Sequence, residues 1–240
     1  MLKYLAIIIF AAFLVLYFFF PFGSEDYSQV FLTISTFLFA IFTGFFISRQ
    51  GKRYSNIRDQ ITKFDGEMSS MYRQFGHLGQ SAQNEAKKII KNHYETILAN
   101  QAWDYHFVNP SVTITSLHKL SEEVIKDKSL PSLKHLALQR ILTALETLQV
   151  VRKNMIALHT ERIPRFQWVL VYFLAIILFV AVSTIPSAGF VLGTLLKSAF
   201  ASSVIFVVIL LSQFDRLKFF EGTIGESSAK DVLDIIEGRK

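Results

Sequence analysis

Residues 30–47 read VFLTISTFLFAIFTGFFI, and residues 48–53, which follow directly, read SRQGKR. The first stretch carries no charge, and its length is close to the roughly 20 apolar residues that a helix needs to cross a bilayer. Backbone groups inside lipid must find hydrogen-bond partners within their own segment, so a helix is expected. The abrupt change at residue 48 predicts the end of a membrane span and the start of a polar helix.

Three further apolar stretches of similar length lie at residues 2–20, 168–185 and 190–211. The 240-residue chain is 51% hydrophobic, with a mean hydropathy of +0.37 and a formal net charge of +6. Its apolar residues concentrate toward the two ends of the chain. We therefore predict an all-α membrane protein with four transmembrane helices and a helical cytoplasmic insert between spans two and three. The first stretch is expected to be an uncleaved span, because residues 20–24 make a poor signal-peptidase site.

Lysine and arginine residues fall on one side of the predicted spans. Arg49 and Lys52 follow span two, Arg162 and Arg165 precede span three, and Arg216 follows span four, whereas the loops within each pair of spans carry none. Such residues stay on the cytoplasmic side. We predict a multi-pass protein of the inner (plasma) membrane with both termini in the cytoplasm. The predicted segments are a hairpin at 1–48, the cytoplasmic helical region at 49–165, a second hairpin at 166–213 and a cytoplasmic tail at 214–240.

The insert is predicted to be helical along most of its length. Apolar residues alternate at spacings of three and four from Tyr54 to Phe75, so span two is expected to continue as one long helix that ends near Gly76 and Gly79. This apolar seam packs either in the protein's own core or between subunits. Further helices are predicted at 81–102, 112–126 and 131–161, with a tail helix capped by Ser227 or Ser228 and running to Glu237.

Residues that carry catalytic or metal chemistry are sparse. The chain has no cysteine, which excludes disulfides and thiolate chemistry. Its six histidines form no metal-ligand spacing and are predicted to lie partly exposed on helices. No phosphate-binding or nucleophile motif is present, and the basic insert lacks the aromatic interleaving typical of nucleic-acid binding. We expect no enzyme, no cofactor, no metal site and no nucleic-acid partner.

Small and polar residues form a stripe along span two. Thr33, Thr36, Ala40 and Thr43 recur at helical spacing, with Gly44 beside the last of them. Such a stripe either packs closely on another helix or lines a water-filled path. Both readings remain open from the sequence.

Lys197 is the one charged residue inside span four. A lysine at this depth either snorkels toward the outer surface or acts as a cation in a water-filled path or at an interface, because an unsolvated ammonium is costly in lipid.

The arrangement of two spans, a large helical insert and two more spans resembles the bestrophin-like membrane proteins of bacteria. Span two ends in AIFTGFF at residues 40–46, and PRFQW at residues 164–168 opens span three. The exit from span four, DRLKFFEGTI at 215–224, is similar to an Asp-x-Pro-Phe-x-Gly-x-Ile pattern, with Lys218 near the expected proline. Its family-like residues are Asp215, Arg216, Phe220 and Gly222.

The resemblance implies a pentameric channel, mostly for anions, whose second span lines the pore and whose cytoplasmic helices extend the conduit. The stripe in span two then becomes the pore candidate, and the expected partners are the lipid bilayer, further copies of the chain and inorganic ions. The alternative is a membrane-anchored helical scaffold or signalling protein without transport activity.

Overall fold

The computed structural model describes residues 2–19, 28–109, 112–125, 132–185, 190–218 and 224–239 of the chain. Within these residues the chain is helical and contains no strand, which confirms the predicted all-α class. In chain order the helices are α1 (Leu2–Phe19), α2 (Ser28–Leu78), α3 (Gln80–Asn100), α4 (Tyr105–Val108), α5 (Thr113–Ile125), α6 (Ser132–Thr160), α7 (Arg165–Thr184), α8 (Phe190–Asp215) and α9 (Ile224–Glu237).

Contacts between the helices divide the chain into two compact units. The apolar unit comprises Met1–Lys52 and Arg162–Arg216, and the polar unit comprises Arg53–Glu161 and Leu217–Lys240. The long helix α2 contributes its first part to the apolar unit and the rest to the polar unit. Span two and the seam after it therefore form one helix, as predicted.

The apolar unit packs around a core of large side chains. Phe39 and Phe46 of α2 share this core with Leu174 and Leu178 of α7 and with Leu211 of α8. Helix α8 also packs against α1. Lipid tails are as apolar as these side chains, so close van der Waals packing in this core, and not removal from water, holds the helices of the unit together.

Three helical stretches of the described chain are long and apolar enough to cross a membrane. They are Val30–Leu78, Ser132–Thr184 and Val191–Asp215, and they contain nearly all of predicted spans two, three and four. The first predicted span corresponds to the apolar helix α1 and stays a prediction. Helix α7 has 20 residues, which gives it a length of about 30 Å, close to the thickness of the hydrocarbon core.

The core of the polar unit is built on the apolar seam of α2. Four of the seam's side chains, Ile57, Met68, Met71 and Phe75, are fully buried. They share one cluster with buried residues of α3, α6 and α9, such as Ile90. The seam therefore belongs to the protein's own core, and the alternative of a contact between subunits is not needed to cover it.

Arg53 closes the end of α6 within the polar unit. Its guanidinium donates to the backbone carbonyl oxygens of Leu158 over 2.7 Å and of His159 over 2.9 Å. These carbonyls lie in the last turn of α6, where no further backbone N–H can reach them, and a cation is favourable there. Arg53 itself is buried, so this basic residue, which follows span two in the sequence, has a structural role in the polar unit.

The connection between α2 and α3 is a single glycine. Helix α2 ends at Leu78, and Gly79 has φ 137° and ψ 158°, a conformation that is essentially restricted to glycine. The chain reverses here so that α3 continues the packing of the polar unit. The predicted helix end at Gly79 is confirmed, whereas Gly76 lies inside α2.

The tail helix α9 begins earlier than the predicted serine cap. It starts at Ile224, ahead of Ser227 and Ser228, and ends at Glu237 as predicted. The cap prediction was wrong because the Ser228 hydroxyl donates to the Asp65 carboxylate instead of capping its own helix. Helix α9 packs against α3 through a buried apolar face.

Candidate functional site

The stripe of small and polar residues on α2 runs along the border between the exposed and the buried side of the helix. Thr33, Ala40 and Gly44 are exposed on the surface of the protomer, and Thr36 is half-buried. A Cβ placed on Gly44 would meet no atom within 4 Å. Thr33, Ala40 and Gly44 lie at helical spacing on one side of α2, so the protomer leaves a small-residue strip uncovered, with Thr36 at its half-buried edge.

Thr43 lies on the buried side of the same helix. It is 4% exposed, and its hydroxyl donates to the backbone carbonyl oxygen of Phe39 over 2.6 Å. A hydroxyl that bonds back to the preceding turn is satisfied without water or an ion. Thr43, two turns after Thr36 on the same face of α2, is therefore the buried member of the stripe, and its exposed members are Thr33, Ala40 and Gly44.

Bulky apolar side chains flank the strip on one side. Ile34, Phe37, Ile41 and Phe45 are each at least half exposed. The exposed surface of α2 therefore has two halves. The half with bulky apolar side chains suits contact with lipid or with an apolar neighbour, and the half with small and hydroxyl-bearing residues suits such contacts less well.

Lys197 lies on the inward face of α8. It is 7% exposed, and Thr194 and Ser198 beside it are also buried. The Ser198 hydroxyl bonds to the Thr194 carbonyl oxygen over 2.7 Å. Lys197 is therefore packed inside the apolar unit and is not part of the exposed strip on α2.

The family-like exit from α8 ties that helix to the start of α7. A carboxylate oxygen of Asp215 accepts a hydrogen bond from the backbone N–H of Ile163 over 2.7 Å. The Arg162 guanidinium donates in return to the Asp215 carbonyl oxygen. Asp215 is buried and Arg216 is exposed. Phe220 and Gly222, the other two residues of the exit pattern, lie outside the described residues.

A buried carboxylate that sequence reasoning missed lies in the polar unit. Asp65 is 8% exposed and accepts hydrogen bonds from the hydroxyls of Tyr94, over 2.6 Å, and Ser228. Burial raises the pKa of Asp65 from 3.8 to about 6, although both hydroxyl donors oppose this. Because these donors belong to α3 and α9, one side chain joins the tail helix to the centre of the unit.

Two histidines next to this carboxylate are buried, and the prediction that the histidines lie partly exposed was wrong for them. The rings of His93 and His106 stack with centroids 3.8 Å apart. The Nδ1 atom of His93 lies 2.9 Å from the Thr113 hydroxyl, and Nε2 of His106 lies 2.9 Å from the His93 carbonyl oxygen. Burial lowers the pKa of both imidazoles, most strongly that of His93, so the pair is neutral at pH 7.

A sequence signal for His93 did exist. It occupies the helical register of the buried residues Ala86, Ile90 and Ile97 on α3, and a polar residue in an apolar register predicts a buried polar group. No comparable signal marks Asp65, which lies beside the seam residue Phe64 and depends on partners from distant parts of the chain.

The cavity beside this network is small. It has a volume of about 20 Å³ and is lined by Asp65, His93, Tyr94, Trp103 and four other side chains. That volume accommodates about one water molecule, and no group of three or more metal-ligating side chains occurs in the described part of the chain. The network can hold a proton and fix helices, but it offers no room for an organic substrate.

Comparison with known proteins is informative at the level of the family. The model of the Bestrophin-like domain matches residues 6–224, which is most of the chain. No match was found among curated proteins or among solved structures.

Proposed function

Because the chain belongs to the bestrophin-like family, we propose that it is a homo-oligomeric anion channel of the plasma membrane whose pore is lined by α2. In this proposal four spans cross the bilayer, and both termini and residues 49–165 lie in the cytoplasm. The family is known for channels rather than enzymes. A pentamer is the expected assembly, in line with the family resemblance.

The observation that carries the proposal is the uncovered small-residue strip of α2. Thr33, Ala40 and Gly44 are exposed although α2 belongs to the core of the apolar unit through its other side. Small and hydroxyl-bearing residues are not expected on a helix face that contacts only lipid. Around a symmetry axis, copies of the strip would line a water-filled path with hydroxyls and open space.

The positive charge of residues 49–165, between spans two and three, supports anions as the conducted species. Residues 49–165 contain 18 Lys and Arg and 11 Asp and Glu, a net charge of +7. Arg58 and Arg73 are exposed on α2 beyond the apolar stretch. A positive vestibule raises the local concentration of anions and lowers that of cations.

The chain contains no cysteine, so single introduced cysteines can test directly which side of α2 lines the pore. Single cysteines are introduced at Thr33, Thr36 and Ala40, and the matched controls are Ile34→Cys and Ile41→Cys on the bulky half of the same helix. Each purified protein is reconstituted into liposomes, and halide efflux is measured before and after a negatively charged thiol reagent is added. Block at the three strip positions and none at the two controls is the expected result.

Two outcomes would count against the proposal. Liposomes that release no halide under any condition would remove the channel function, and block at the control positions would place the pore on the other half of α2. The oligomeric state in mild detergent is an independent check, because a monomer has no shared axis on which to build this pore.

The alternative is a membrane-anchored scaffold without transport. In this alternative the apolar seam of α2 would bind another protein, but Ile57, Met68 and Phe75 are fully buried in the core of the polar unit. Stable capture of a partner by a protein that shows no efflux would favour this alternative.

A further inference from the structure

The junction between α7 and α8 gathers three arginines at one end of the apolar unit. Arg162 precedes α7, Arg165 is its first residue, and Arg216 follows α8 directly. All three are exposed. The hydrogen bonds from Arg162 and Ile163 to Asp215 bring the two chain segments together, so the three arginines lie at one end of the apolar unit, where α7 begins and α8 ends.

The carboxylate at this junction does not neutralise the cluster. Asp215 is buried, and one of its oxygens is used by the backbone N–H of Ile163. Arg162, Arg165, Arg216 and Asp215 together carry a net charge of +2. Glu161, which directly precedes Arg162, is half-buried, whereas all three arginines are exposed, so the cluster is complementary to an anion.

An exposed apolar surface begins next to the arginines. Phe166 and Val169 on the first turns of α7 are 69% and 66% exposed. Trp168 stacks on Tyr172, with ring centroids 5.5 Å apart. Tryptophan and tyrosine are enriched where a membrane protein meets the head-group region. The cluster therefore lies where charged head groups and acyl chains are both within reach of the same helix.

We propose that Arg162, Arg165 and Arg216 form a binding site for the phosphate group of an anionic phospholipid, whose acyl chains lie along the Phe166 and Val169 side of α7. Guanidinium groups bind phosphate oxygens through paired, charge-assisted hydrogen bonds. The membrane supplies both the anion and the apolar tail, so the arrangement of charge beside apolar surface selects a lipid. This inference does not require that the protein conducts ions.

A free anion such as inorganic phosphate shares the head-group chemistry, but it would gain nothing from the exposed side chains of α7. A second alternative is that these arginines serve only to orient the chain in the membrane, as basic residues near span ends commonly do. In that case the identity of the lipid would leave the folded protein unaffected.

The test measures lipid-dependent thermal stability of the full chain in a mild non-ionic detergent. Phosphatidylglycerol and phosphatidylcholine are titrated separately, because they differ in net charge at similar acyl-chain length, and inorganic phosphate is a third additive. The variants are Arg165→Gln, Arg216→Gln and their combination. Arg162 is left intact because it bonds to the Asp215 carbonyl oxygen and its loss would disturb the fold.

The matched control is the double variant Arg58→Gln, Arg73→Gln, which removes the same charge from exposed positions of α2. We expect phosphatidylglycerol to stabilise the wild type at concentrations where phosphatidylcholine has little effect. Loss of one arginine is expected to weaken the apparent affinity about fivefold, and loss of both about 30-fold. The control is expected to keep the wild-type affinity.

Three results would overturn the proposal. Equal stabilisation by the two lipids would show that the protein does not distinguish lipids by head-group charge. An equal loss of apparent affinity in the control variant would show an unspecific effect of net charge. Full stabilisation by inorganic phosphate alone would assign the cluster to a free anion. None of these results depends on halide efflux, so the lipid site and the channel function are tested independently of each other.

Discussion

The Tyr94 hydroxyl donates a hydrogen bond over 2.6 Å to Asp65, a buried carboxylate that also accepts one from Ser228 of the tail helix. Two donors from separate helices converge on one charge inside a largely apolar core. An ionised carboxylate in such a place is costly even when it is hydrogen-bonded. The polar unit is therefore expected to respond to pH through a few buried groups.

The Asp65→Asn variant is expected to gain stability against unfolding, relative to the wild type, as the pH rises. The pKa of Asp65 is raised to about 6, so the stability linked to its protonation is full below 3.8 and is lost as the pH rises through 6. Asparagine carries no charge and keeps hydrogen bonding to both hydroxyls. The difference between variant and wild type should grow by about 2.4 kcal/mol between pH 4 and pH 7. Thermal unfolding across this range checks it, and a constant difference would contradict it.

His93→Gln is expected to change stability in the opposite direction. Burial lowers the pKa of His93, so its neutral form contributes stability that is present above pH 6.5 and is lost as the pH falls below that value. The wild type should lose up to about 1.4 kcal/mol per pH unit from this group, and the variant should not. His118→Gln, at a residue paired with Glu122 on α5, is the control. The same acid sensitivity in both variants would disprove the assignment to His93.

Arg53→Met is expected to destabilise the polar unit by about 3 kcal/mol. The variant leaves the carbonyl oxygens of Leu158 and His159 without their donor, and hydrogen bonds to charged groups contribute about 1.5–3 kcal/mol each. Arg58→Met removes the same charge from an exposed position of α2 and should change stability by less than about 0.5 kcal/mol. Denaturant unfolding of both variants side by side measures the difference; similar values would refute the capping role.

Asp215→Ala is expected to loosen the junction of α7 and α8, at a cost of about 1–3 kcal/mol, because the buried N–H of Ile163 loses its acceptor. Asp215→Asn retains an acceptor oxygen and should recover most of the stability. Hydrogen exchange at Ile163, compared between the two variants, reads the effect locally. If alanine and asparagine behave alike, the charge and not the hydrogen bond is what matters there.

Two glycines are expected to respond to alanine with opposite signs. Gly66 lies within α2, and a Cβ there would meet no atom within 4 Å, so Gly66→Ala should stabilise by about 0.5–1 kcal/mol. Gly79 has φ 137°, so Gly79→Ala should cost about 1–3 kcal/mol. Melting temperatures of the two variants test the pair. A stabilised Gly79→Ala would mean that the turn adopts another conformation.

The correct and incorrect predictions differ in how local their causes are. The continuation of span two into the seam through Phe75 and the helix end at Gly79 follow from periodicity and from backbone conformational freedom, which depend on neighbouring residues alone. The cap assigned to Ser228 and the exposure assigned to His93 were wrong because distant residues, Asp65 and His106, determine where these side chains point.

The amino-acid sequence by itself determined that this chain is helical, where its long apolar stretches lie and that α2 continues beyond the second of them, because apolar length and helical period are local properties. Tertiary structure alone decided that the seam is covered within the protomer, that Thr43 turns inward while Thr33, Ala40 and Gly44 stay exposed, and that Asp65 is buried. Burial depends on which distant helices meet, and a charge or a small residue acquires its role only once that packing is complete.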